Sequence, residues 1–154
     1  EYSSLNINDK VIAILRLYKG FKEINIKASK SIIAGFREVL YQIGAFINSV
    51  DDTLVVEIEP EVNVNERHFT PDMIIRDING DKLVVELKIL NKIRRSKQFE
   101  AQMLAYLTYT GAASGIVLQI PNDLTEDLNL EVESTEHETS NGKYKICQMY
   151  HQPK

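Results

Sequence analysis

Apolar residues recur at helical spacing near the start of the chain, where Val11, Ile14, Leu15 and Tyr18 fall at i, i+3, i+4 and i+7. The spacing predicts a first helix over residues 9–19, with Asn8 or Asp9 as its cap and Gly20 as its stop. A second stripe, Ile32, Phe36, Val39, Leu40 and Ile43, predicts an amphipathic helix that begins after Ser29 or Ser31 and ends at Gly44. The period then changes. Residues 54–58 are rich in β-branched side chains and Pro60 marks an end or an edge, so a strand is expected there.

Between Met73 and Ile89 two apolar runs flank Asn79-Gly80, a strong local hairpin signal. Its register follows from the apolar residues. If paired positions sum to an even number, Met73, Ile75, Leu83, Val85, Leu87 and Ile89 share one face, whereas an odd register splits them. A strict two-residue loop gives the odd register, and a three-residue loop of Asn79, Gly80 and Asp81 with a glycine bulge gives the even one. Phe99, Met103, Ala105, Tyr106 and Leu107 predict a third helix from Ser96 to a stop at Gly111. Residues 115–120 form an apolar strand ended by Pro121, and 128–133 with 143–150 alternate around Asn141-Gly142 as a terminal hairpin.

The order helix, three strands, helix, strand, hairpin places the chain in the mixed α/β (α+β) class, with helices flanking a mixed central sheet. At 154 residues and 44% hydrophobic content, a single domain over 1–154 is expected. Its core would span about 30–120, with an added C-terminal hairpin over about 128–150. No apolar run approaches the roughly 18 residues of a membrane helix, so a soluble, intracellular, cytoplasmic chain without a membrane partner is expected. The lone Cys147 excludes an internal disulfide framework or a four-cysteine zinc site and reads as a small structural thiol. A net charge of -4 disfavours a phosphate partner unless positive charge is gathered locally.

The chemistry-bearing positions lie on the central hairpin. Glu86 and Lys88, two apart on a strand, point the same way while Leu87 points into the core, and the even register brings Asp72 to their side. Two carboxylates, with the backbone carbonyl of Leu87, form a hard oxygen site suited to Mg²⁺ or Mn²⁺. Such an ion activates water and neutralises charge on a phosphodiester, and Lys88 would assist the water, so phosphodiester hydrolysis is the expected reaction. An isolated E-x-K is ordinarily a solvated strand face, and the case rests on its context.

Thr70-Pro71-Asp72 followed by Val84-Val85-Glu86-Leu87-Lys88 resembles the signature of PD-(D/E)XK nucleases, and 102–106 resembles the QxxxY motif of their RecB-like members. The stretch 102–120 is similar to that of the small GxxExxY-type members. The resemblance implies the restriction-endonuclease-like αβββαβ core, with Asp72 and Glu86 as metal ligands and Lys88, Gln102 and Tyr106 in the catalytic machinery. It also implies DNA as substrate and action as a homodimer or within a larger repair, restriction or mobile-element complex. Many members carry a further acid on the first core helix. Glu38 stands there, nearly opposite the apolar stripe, and Glu57 and Glu59 on the first strand are alternatives among which the sequence does not choose.

Lys88, Lys92, Arg94, Arg95 and Lys97 gather five positive charges within ten residues of an acidic chain. As a solvated helix entry they would need no function, but their position suits capture of nucleic-acid phosphates by Lys92, Arg94, Arg95 and Lys97. His68, beside Arg67, is assigned no role. The acidic stretch 126–138 is expected to face solvent or to limit where nucleic acid can lie. The rival reading is a catalytically silent nucleic-acid-binding or interaction module that keeps the same fold.

Overall fold

A computed structural model describes residues 1–20, 32–93, 96–122 and 127–153. After a short 3₁₀ turn, helix α1 spans Ile7–Leu17 and α2 spans Ile32–Val50. Eight strands follow: β1 Val55–Ile58, β2 Val62–Val64, β3 Arg67–Phe69, β4 Met73–Arg76, β5 Lys82–Leu90, β6 Ser114–Pro121, β7 Leu130–Thr139 and β8 Gly142–His151. Helix α3, Lys97–Thr110, connects β5 to β6. Six strands form one mixed sheet in the order β1-β4-β5-β6-β8-β7, and β2 with β3 forms a separate ribbon. The β5–β6 and β6–β8 pairs are parallel, the others antiparallel.

The two faces of the sheet are covered differently. On one, Val11, Ile14 and Leu15 of α1 and Val39, Leu40, Ile43 and Ile47 of α2 pack on Met73, Ile75, Leu83, Val85, Leu87, Ile116 and Leu118. On the other, Phe99, Met103 and Leu107 of α3 cover Ile74, Val84, Val117 and Ile146. Strands β5 and β6 are therefore buried on both sides, as parallel strands between helix layers are, which accounts for the apolar run after Gly115, interrupted by Gln119 alone. A side chain at Gly115 would overlap Met103, so this glycine lets α3 lie close on β6.

The even register of the central hairpin holds: Met73 pairs with Val85 and Ile75 with Leu83. Its loop sits one residue earlier than the expected Asn79-Gly80-Asp81. The Asp77 N–H donates to the Asp81 carbonyl at 3.1 Å, leaving Ile78, Asn79 and Gly80 as the connection, with Gly80 at φ 83°. The Asp77 carboxylate accepts the N–H groups of Asn79 and Asp81, both at 2.9 Å, which pins the loop in that frame.

Four expectations are corrected. Helix α1 starts at Ile7 because the Asn6 side chain caps it, accepting the Asp9 N–H at 2.9 Å; Asn8 is buried within the first turn and Asp9 lies inside the helix. The proposed starts of the second helix, Ser29 and Ser31, lie outside the described residues, but α2 does not stop at Gly44. A Cβ there would meet Ile58 Cδ1 at 2.9 Å and Val56 Cγ1 at 3.2 Å, so Gly44 marks where helix and strand approach, and the stripe continues to Ile47. Strand β7 runs to Thr139, beyond the expected 133, held along its length by β8. Finally, the β2–β3 ribbon is inserted between the first two expected core strands.

Candidate active site

Asp72 immediately precedes β4, and the register of that strand sets it opposite Glu86 of β5. The two residues grip each other's backbone. The Asp72 N–H donates to Glu86 Oε1 at 2.8 Å and the Leu87 N–H donates to Asp72 Oδ2 at 2.8 Å. Both carboxylates lie on the α3 face of the sheet, beside Ile74 and Val84, while Leu87 points to the opposite core. Within a strand the carbonyl of a residue points to the same edge as its N–H, so the Leu87 carbonyl faces the edge where Asp72 sits.

This is a like-charge pair in a poorly hydrated place. Glu86 is buried, at 4% exposure. Burial, followed by the Asp72 charge, pushes Glu86 up to about 8. Burial also raises Asp72, against the opposing pull of the Leu87 N–H and of Lys88. The Lys88 ammonium favours the charged form of both acids but compensates only one unit of charge. It donates to Gln102 Oε1 at 3.0 Å and lies 5.0 Å from the centroid of the Phe99 ring.

Helix α3 supplies the remaining wall. Ser96 caps it by accepting the Phe99 N–H at 3.4 Å, and Gly111 ends it at φ 75°, both where the sequence places them. One face then carries Gln102 and Tyr106 toward the strands: Gln102 Nε2 donates to the Tyr106 hydroxyl at 3.4 Å. Burial, then the charges of Glu86 and Asp72, raise the Tyr106 phenol above its ordinary range, keeping it a protonated donor near both acids. The structure thus brings Asp72, Glu86, Lys88, Gln102 and Tyr106 together.

The further acids separate. Glu59, which follows β1 at φ 49°, donates its N–H to the Asp72 carbonyl at 2.8 Å, and its charge acts on Asp72. Arg37 of α2 holds its carboxylate at 2.9 Å. Glu57 pairs with Arg76, and Glu38 accepts from Gln42 at 3.4 Å on the exposed side of α2. Of the three, Glu59 is the one whose charge is felt at the site. In the basic segment Lys92 and Lys97 are exposed, and Arg94 and Arg95 lie outside the described residues.

Sequence reasoning missed the ribbon's part in this wall. Phe69 of β3 lies against Tyr106, with ring centroids 5.8 Å apart, and against Tyr109 at 5.1 Å. His68 sits on β3 and contacts Asn63 across the ribbon. The signal was weak because Asn65-Glu66 lacks the glycine that usually announces such a turn. Alternation of Val62, Val64 and Phe69 was its one visible trace.

A sequence model of the PD-(D/E)XK nuclease superfamily matches residues 16–130, and the chain belongs to that superfamily. Among solved structures, a chain of the Thermococcus gammatolerans assembly of McrB AAA+ hexamers with bound McrC is similar in fold. That match has a TM-score of 0.50 at 15% identity, over 74% of this chain and 27% of that one. The crystal structure of SSO0001 matches with a TM-score of 0.44 at 20% identity, over 77% of this chain and 60% of that one. The chain therefore spans less than two thirds of either. No curated protein matches it.

Proposed function

We propose that this chain is a nuclease that hydrolyses phosphodiester bonds of DNA with Mg²⁺ or Mn²⁺, using Asp72 and Glu86 as ligands and Lys88 as the group that assists the attacking water. The observation that carries this reading is the close pair of carboxylates, Glu86 buried and Asp72 half-buried, beside one ammonium, a cluster short of positive charge. Among the described residues no set of three or more His, Cys, Asp or Glu side chains is placed to hold a metal. A donor set of two carboxylates and one carbonyl, Leu87, suits a hard ion that keeps several waters, as Mg²⁺ does. When bound, such an ion lowers the pKa of its water and neutralises charge building on the phosphate.

The chain's own residues divide the remaining work. The reciprocal backbone bonds fix Asp72 and Glu86 without using up all their oxygens. Gln102 positions the Lys88 ammonium, which can orient the water or stabilise the negative charge of the transition state. Tyr106, kept protonated, can donate to a phosphate oxygen. Lys92, Arg94, Arg95 and Lys97 would hold flanking phosphates. Incubating the protein with a panel of labelled single-stranded, duplex and branched DNA and RNA, with Mn²⁺ or with chelator, tests the reading. Metal-dependent fragments support it, and an intact panel under every metal condition overturns it.

The fold shared with a chain of the McrB–McrC assembly supports a further part of the proposal, that this domain acts within a larger complex rather than alone. Mass measurement with pull-down from the source cell tests it. No described helix is long and apolar enough to cross a membrane.

A further inference from the structure

The β2–β3 ribbon turns at a pair of residues of which the second, Glu66, is an unusual choice for its backbone conformation. Its two strands pair Val64 with Arg67, leaving Asn65 and Glu66 as a two-residue turn with φ 50° and 66°. Both angles are positive, as in the mirror-image turns that match strand twist and usually carry glycine. With Glu59, these are all the positive-φ non-glycine residues among the described ones, and they fall within one short segment leading to Asp72. Asn65 takes this conformation readily, but at Glu66 it costs on the order of 1 kcal/mol and persists where surrounding contacts hold it.

Those contacts are with α3, and they fix an exposed cation. Arg67 is solvent-exposed, yet its Nη1 donates to the Tyr109 hydroxyl at 2.9 Å and its guanidinium lies 6.0 Å from the centroid of the Tyr109 ring. Tyr109 packs on Phe69, Phe69 on Tyr106, and Tyr106 bonds Gln102, which holds Lys88. Arg67 is thus anchored to the same aromatic cluster that walls the acids. Of the five N–H donors of a guanidinium, one is spent on Tyr109, leaving a preorganised fork that matches a phosphate.

Position gives this cation a role. Tyr109 and Lys97 stand near opposite ends of α3, about 18 Å apart along its axis at the usual helical rise, a span of several phosphates. Gln102 and Tyr106 lie between them. We propose that the β2–β3 ribbon is a second arm of the nucleic-acid cleft, in which Arg67, held by Tyr109, binds a backbone phosphate on the side of the active site away from Lys97. This rests on the nuclease reading. The contact is to phosphate, so it adds affinity without sequence preference.

The test is fluorescence anisotropy of labelled DNA of two unrelated sequences, as single strand and duplex, in chelator so that binding is read without turnover. Salt is varied and thermal unfolding of each variant is checked. Arg67→Ala is expected to weaken binding to both sequences about five- to tenfold and to lower the slope of log affinity against log salt by about 1. Arg67→Lys should restore the slope, and Tyr109→Phe, which keeps the ring but frees the guanidinium, should weaken binding about two- to threefold. An unchanged affinity and slope in Arg67→Ala overturns the proposal while leaving the nuclease reading intact. So does a loss confined to one sequence, or a fall in melting temperature with an unchanged slope, which would mark a purely structural clasp. If the parent protein binds no nucleic acid in this assay, the proposal falls, while the nuclease reading is decided separately by the metal-dependent cleavage panel.

Discussion

Asp72, Glu86 and Lys88 can be separated by what each loses on substitution. Lys88→Met keeps the length of the side chain and both carboxylates but removes the ammonium. Divalent-metal affinity should persist while single-turnover cleavage slows by about 10² to 10³, the equivalent of a lost contact of about 3 to 4 kcal/mol in the transition state. The pair of acids also makes a prediction without substrate. Glu86 is raised from 4.5 to about 8 in the folded protein, so the folded state holds its proton more tightly than the unfolded one. Its contribution to stability is fully present below 4.5 and is lost as pH rises through about 8. In chelator, the parent should therefore lose stability across that window relative to Glu86→Gln, which has no charge to bury. Thermal unfolding of the two proteins at several pH values measures it, and parallel pH profiles would contradict the burial of Glu86 beside Asp72.

At the scale of elements, what the sequence revealed and what it hid have separate physical causes. The central hairpin was legible because its core face reads as one apolar set only in the even register, and that register carried Asp72 to Glu86. Ser96 and Gly111 bounded α3 because caps are local chemistry. Gly44 misled because a glycine that ends a helix and a glycine that admits a strand look alike without the third dimension. Its role in packing gives a prediction. Gly44→Val should destabilise by about 1 to 3 kcal/mol, lowering the melting temperature by roughly 2 to 4 °C per kcal/mol in a domain of this size. Gly44→Ala should be near neutral, as about 1 kcal/mol of helix propensity offsets a contact with the flexible end of Ile58. Equal stability of the valine variant and the parent would mean that α2 does not pack this closely. β7 was under-read because 133–139 holds no aliphatic or aromatic residue, and its strand form comes from the ladder to β8 rather than from its own pattern. The site was legible in its pairwise spacings, Glu86 with Lys88 and Gln102 with Tyr106. The links supplied by Glu59, Arg37, Arg67 and Tyr109 are tertiary and left no periodic trace.

The whole molecule is acidic, with a net charge of -4, and any nucleic acid must approach where positive charge outweighs that field. Exposed Glu131, Glu136 and Glu138 mark the β7 edge as the unfavourable side, at the far end of the sheet from β1 and β4. For the basic segment, Arg94→Ala with Arg95→Ala should weaken binding evenly across sequences and flatten the salt dependence by about 2, read from anisotropy over a salt series. An unchanged slope would move the nucleic-acid track elsewhere on the molecule. The central claim is that the Asp72–Glu86 pair holds the metal on which phosphodiester cleavage depends. Calorimetric titration of Mn²⁺, paired with single-turnover cleavage on the same folded samples of the parent, Asp72→Asn and Glu86→Gln, tests it most directly. The account predicts that metal binding and cleavage fall together in both variants; Glu86→Gln that binds Mn²⁺ and cuts like the parent would contradict it.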